Sequence, residues 1–165
     1  MSATFDEYVV ARGQALLRLA WLLARDEHVA QDVVQEALAK ASGRWSRIER
    51  LGAPDAYVRK MVVNEVLSWR RRKIAVPSDR LSDRAVPGTY GGDPAGPHAD
   101  RDQVLALLAT LPRQQRAVLV LRYYEGLDDV AIGELVGCAP VTVRAHASKA
   151  LARLRASVTP VKETL

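Results

Sequence analysis

The side chains able to do covalent or metal chemistry are scattered along this 165-residue chain. His28, His98 and His146 lie in three separate segments, and none stands near a cysteine or carboxylate at metal-ligand spacing. No glycine-rich phosphate loop follows a strand, and no Ser-His-Asp grouping rises above background. The expectation is a protein that is not an enzyme, with no catalytic residue, no metal and no cofactor. Hydrogen-bonding and cationic groups, in contrast, do recur at useful spacing. Thr142, Arg144, Ala145, His146, Ser148 and Lys149 take outward positions on one predicted helix. Arg144 and Lys149 suit a guanine edge or a phosphate, and Thr142 suits a backbone contact.

Those residues need a scaffold, and the stretch from Asp128 to Lys149 predicts one. Ile132, Leu135 and Val136 form an apolar stripe at helical spacing. Gly137 supplies the positive φ that ends a helix, and Pro140 stands where a second helix starts. Gly133, Gly137 and Val143 fit the small residue, the turn glycine and the buried aliphatic of a helix-turn-helix. A helical hairpin with no DNA partner could carry the same three residues. Cys138, the single cysteine, sits in the turn and reads as packing; it fits a reducing compartment.

Upstream, Phe5 to Ala24 has a largely helical pattern, softened at Gly13. Asp26 is the expected N-cap of a helix reaching about Ala41, with Val29, Val33, Leu38 and Ala41 inward and Asp32, Gln35, Glu36 and Lys40 toward solvent. Arg44 to Ala53 reads as a short connector, apolar for a loop because of Trp45, Ile48 and Leu51. Pro54 opens a long helix through Asn64 to the basic run Arg70 to Lys73. Residues 74–100 hold four prolines and four glycines without apolar periodicity, which predicts a flexible linker. Helical spacing resumes at Asp102, Pro112 restarts a helix, and Ala117 to Leu121 is its buried run. Tyr123 and Tyr124 read as hydrophobic anchors at its end. The expected fold class is all-α: two small helical domains, 1–73 and 101–157, joined by the linker 74–100, with a tail at 158–165.

Charge follows the same division. The net charge is +5. Residues 1–73 carry 13 lysines and arginines against 9 carboxylates, 74–100 carry 2 against 4, and 101–165 carry 9 against 6. Two basic domains flanking an acidic linker point to a polyanion held by both. The N-terminus has neither the basic start nor the apolar run of a secretory signal. The apolar run from Ala15 to Ala24 is interrupted by Arg18 and is too short for a bilayer. A cytoplasmic protein without membrane insertion is expected.

Four segments together resemble a family. Asp32-Val33-Val34-Gln35-Glu36 is similar to the D-x-V-Q-E signature of bacterial sigma factors. Residues 56–65 with the basic run after them resemble the helix that contacts the promoter −10 element. Leu111 to Glu125 resembles the start of the fourth conserved region, and Thr142 to Arg155 its end. Two domains without further regions resemble the extracytoplasmic-function (ECF) sigma factors, close to the actinobacterial SigE-like group.

The resemblance implies that Asp32, Val33, Gln35 and Glu36 dock on the β′ clamp helices of core RNA polymerase, although a helix face of this kind on its own would simply be solvated. It implies −10 DNA contacts from Trp45, Ile48, Tyr57, Arg59, Lys60, Asn64, Arg70 and Arg71. Core packing is the alternative for Trp45 and Ile48, and a solvated C-terminal cap for the arginines. Thr142, Arg144, Ala145, His146, Ser148 and Lys149 would read the −35 element. Ala139 and Ala145 stand where the family often has small polar residues, and Val141 where it often has glycine. A side-chain cap and one polar base contact are thereby lost, and a different −35 preference is implied. Implied partners are core RNA polymerase through its β′ and β subunits, promoter DNA and an anti-sigma factor. A stand-alone helix-turn-helix regulator is the rival reading of the C-terminal helices, and a protein-binding adaptor is the rival outside nucleic-acid recognition.

Overall fold

The computed structural model describes the backbone of residues 3–74 and 98–158, and the side chains of 3–69 and 103–158. All regular structure among the described residues is helical. The chain divides into two compact units, Met1–Gly88 and Thr89–Leu165.

The first unit begins with α1 (Phe5–Ala24). Thr4 and Glu7 form a capping box: the Glu7 N–H donates to Thr4 Oγ1 at 3.2 Å and the Thr4 N–H to Glu7 Oε2 at 2.9 Å. The helix runs unbroken through Gly13 and ends at Arg25, whose φ of 58° is left-handed. The Arg25 guanidinium lies over the Trp21 ring, 4.4 Å from its centroid. Asp26 caps α2 (Glu27–Ser42) by accepting from the Val29 N–H at 3.1 Å, as expected.

The stretch after Gly43 differs from the expected connector. Trp45–Arg50 forms a short helix, α3, which turns through Leu51 and Gly52 (φ +84°) into α4 (Pro54–Ile74). Helices α1, α2 and α4 pack on one another around Leu16, Leu19, Leu23, Val33, Val58, Val62 and Val66, and α3 closes the end between α2 and α4.

The second unit comprises α5 (His98–Ala109), α6 (Arg113–Leu119), α7 (Asp129–Val136) and α8 (Pro140–Ser157). Pro112 stands at the N-cap of α6, one place earlier than the first helical turn. Between α6 and α7, Val120–Tyr124 forms a π-helical turn, closed by the Glu125 N–H donating to the Val120 carbonyl at 3.1 Å. The expected run Ala117 to Leu121 is buried, and Leu111, Leu119 and Ala150 meet Leu108, Leu151 and Leu154. The turn also corrects one expectation: it carries Tyr123 and Tyr124 outward, 64% and 40% exposed, so neither anchors the core. The expected linker falls outside the described residues except at its two ends, Ile74 in α4 and His98 to Asp100 in α5, and the tail falls outside them after Val158.

Candidate nucleic-acid interface

In the second unit the two helices of the predicted reader meet at Gly137. Its φ of +81° is one an L side chain rarely adopts. The Gly133 carbonyl accepts from the Gly137 N–H at 2.8 Å and from the Cys138 N–H at 3.0 Å, so two backbone donors close on one acceptor. Pro140 opens α8, and Ala139 before it gives no side-chain cap, as its missing hydroxyl predicts.

Val143, Ala147 and Ala150 recur at helical spacing and are buried, which fixes the opposite face of α8 outward. Arg144, Ala145, Ser148 and Lys149 are exposed, and Thr142 and His146 are half-buried. All six predicted residues thus lie on one helix with their polar groups toward solvent or at its margin. Arg144 is not isolated. Its Nη1 lies 3.7 Å from Oδ2 of Asp129, and Asp129 Oδ1 lies 3.6 Å from Arg122 Nη2. Sequence reading had no means of finding Asp129, because its partners lie seven residues before it and fifteen after, across a turn.

In the first unit Asp32, Gln35 and Glu36 are exposed along one face of α2. Val33 is 4% exposed and belongs to the core; it anchors this face from beneath and presents nothing to a partner. Lys40 completes the face. Its ammonium lies 3.7 Å from Glu36 and hydrogen-bonds Glu65 on α4, and the Glu65 bond holds its pKa above the usual lysine value. This face of α2 is therefore joined to the next helix.

The predicted −10 residues separate into two groups. Tyr57, Lys60 and Asn64 follow one another at helical spacing on α4; Lys60 and Asn64 are exposed and Tyr57 is half-buried. Arg59 turns toward Asp55, 3.7 Å away. Trp45 and Ile48 are packing residues. Trp45 lies against Phe5 and Tyr8, at 5.5 and 5.1 Å between ring centroids, and its indole N–H donates to the Ala3 carbonyl at 3.2 Å. Ile48 is 1% exposed. Of the apolar residues in this stretch it is Leu51, at 61% exposure, that faces outward. The side chains of Arg70 and Arg71 lie outside the described ones.

Asp55 organises the start of α4. It accepts from the Tyr8 hydroxyl at 3.0 Å and from Arg12 Nε and Nη2 at 3.0 and 3.1 Å. Burial, followed by the bond to Asp55, raises the Tyr8 phenol well above its usual value. Among the described residues no group of three or more His, Cys, Asp or Glu is placed to hold a metal, and no helix is long and apolar enough to cross a membrane.

Comparison with known proteins fits both surfaces. Residues 9–74 match the model of sigma-70 region 2, and residues 101–154 match that of sigma-70 region 4. The RNA polymerase sigma-E factor of Streptomyces coelicolor is 39% identical over 153 residues, 92% of this chain and 84% of that protein. The ECF RNA polymerase sigma factor ShbA of Streptomyces griseus is 32% identical over 84% of this chain and 76% of its own. Among solved structures, the sigma factor RpoE from Bartonella quintana, in complex with the anti-sigma factor NepR, superposes with a TM-score of 0.62 at 23% identity. The match covers 92% of this chain and 94% of that one, and at that identity the likeness is one of fold.

Proposed function

Because this chain belongs to the sigma-70 family, among the extracytoplasmic-function sigma factors of RNA polymerase, we propose that it binds core polymerase, recognises promoter −35 and −10 elements and promotes melting of the duplex. The observation that carries this reading is the presence of both sigma regions in one chain, each with an outward polar face on a rigid helix. A lone repressor or activator needs only the second. Members of this family are not enzymes; they act by binding, and the polymerase supplies the chemistry.

The exposed groups divide the work. Asp32, Gln35 and Glu36 offer carboxylates and an amide to the clamp helices of the β′ subunit, with Val33 fixing them from the core, while region 4 contacts the β subunit. Lys60 and Asn64 on α4 suit a phosphate and a base edge of the −10 element, with Tyr57 beside them. Melting requires a base to leave the stack, which costs a few kcal/mol and is offset by a surface that receives it. The turn carrying Leu51 borders that region. In α8, Arg144 and Lys149 read the −35 duplex, while Ala145 is available to a thymine methyl. An anti-sigma factor that covers these faces is the regulatory partner, and the protein works where polymerase works, in the cytoplasm.

Run-off transcription with core enzyme on a pool of genomic fragments tests this directly. Discrete start sites that require both core and this chain are expected. Tight promoter binding by the chain alone, with no transcription gained on adding core, would make it a stand-alone regulator instead.

A further inference from the structure

The ion pairs of Asp129 have a role beyond holding the helix-turn-helix together. Asp129 opens α7, the helix before the reader. Its side chain is only 18% exposed, whereas that of Arg144 is 61% exposed. On its other side the carboxylate faces Arg122 in the π-helical turn, and its buried Oδ1 accepts no hydrogen bond among the described residues. The negative charge is therefore fixed in place by charge attraction from one side, and the exposed arginine extends from the other.

We propose that Asp129 is a positioning residue that sets −35 specificity: it holds the Arg144 guanidinium over the base edges and disfavours its alternative placement on phosphate. This rests on Arg144 being a base reader. At 3.7 Å the pair lies beyond hydrogen-bond distance, so the guanidinium is attracted without spending its donors, and its fork stays available to the two acceptors of a guanine. A phosphate brought to the same guanidinium would meet the Asp129 carboxylate as a like charge. A base edge carries no net charge and meets no such opposition. Discrimination is a difference between two affinities, and a fixed carboxylate lowers the wrong one.

The test uses holoenzyme reconstituted with the full chain and a promoter pool randomised through the −35 element. Arg144→Ala is expected to flatten the preference at one base position. Asp129→Asn, nearly the same shape without the charge, is expected to weaken the preference at that same position about three- to fivefold, as loss of a partly exposed ion pair allows, and to tighten binding to non-specific duplex. Asp129→Glu should recover part of the preference. Arg122→Gln, which releases the carboxylate without removing it, should move the same position and covers the case in which Asp129→Asn folds poorly. If Arg144→Ala flattens the position while Asp129→Asn and Arg122→Gln leave it unchanged, or weaken all sequences alike, the positioning role is wrong and the reading of Arg144 stands. If Arg144→Ala changes nothing, the base-reader assignment itself fails, and this inference with it.

Discussion

A β-carbon on Gly133 would lie 2.5 Å from the carbonyl oxygen of Cys138. The obstacle is backbone, so no side-chain rotation relieves it. The α7 helix and the turn into α8 approach this closely because the Gly133 carbonyl takes both the Gly137 and Cys138 N–H groups. Glycine at 133 thus sets the angle at which the reading helix leaves the turn. Gly133→Val, with a branched side chain in that space, should destabilise the second unit by about 2 kcal/mol, in the range of overpacked cores. Thermal melts should show the loss, and −35-dependent transcription should fall with it.

Arg144 and Lys149 should fail in different ways. Arg144→Ala is expected to cost about 1–3 kcal/mol of discrimination at a single base pair, the usual worth of a bidentate contact. Lys149→Ala should weaken all promoters alike and lower the salt-dependence slope of holoenzyme binding by about 1, as loss of one phosphate contact does. Binding measured at several salt concentrations on matched and mismatched −35 sequences separates the two.

The face of α2 is tested through assembly. Asp32→Lys combined with Gln35→Ala should weaken binding to core polymerase about tenfold or more, because a cation then meets a basic partner surface. Helical content should be unchanged, since both residues are exposed. Co-purification with core and circular dichroism check the two halves of the statement, and wild-type affinity in the variant would place the polymerase contact elsewhere.

Tyr8 and Asp55 give a pH dependence with a definite sign. The folded chain keeps the Tyr8 proton to higher pH than the unfolded chain, whose phenol titrates near the ordinary value of 10.0. More protons are then bound to the native state than to the unfolded state above that pH, so stability is complete below it and declines as pH rises past it. Tyr8→Phe should flatten the decline between pH 9 and 11 by about one proton's worth of slope. Asp55→Ala, which leaves the Tyr8 hydroxyl and the Arg12 guanidinium without that acceptor, should lower stability by about 1–2 kcal/mol at neutral pH. Melting curves across this range read both.

Local chemistry was visible in the sequence wherever one residue decides one turn. Asp26, Gly137 and Pro140 each mark a helix end, and each stands where it was expected. The outward side of α8 followed from Val143 alone, since one buried position on a helix orients the rest. Relationships between segments were hidden. Trp45 and Ile48 pack against α1 and the core, and the six-residue α3 that carries them is too short to show a period. The link from Tyr8 to Asp55 spans 47 positions, a separation at which pattern carries no information. Val33 sits inside a motif otherwise made of exposed polar residues, so only burial distinguishes its part from theirs. Lys60 and Asn64 were legible as surface groups, while the pairing of Arg144 with Asp129 required the turn to be built first.

The widened turn at Val120–Tyr124 bears on how this chain tolerates change in length. A π turn accommodates one residue more than an α turn over the same rise, and each residue of an α-helix advances the chain by about 100°. Excising a single residue there would let the segment rewind as α-helix and rotate everything downstream by most of a quadrant. The DNA-reading helix would then point away from its groove with every one of its own side chains intact. An insertion or deletion at this place is thus a change of aim, and it should abolish −35 recognition more completely than substitution of any one contact residue.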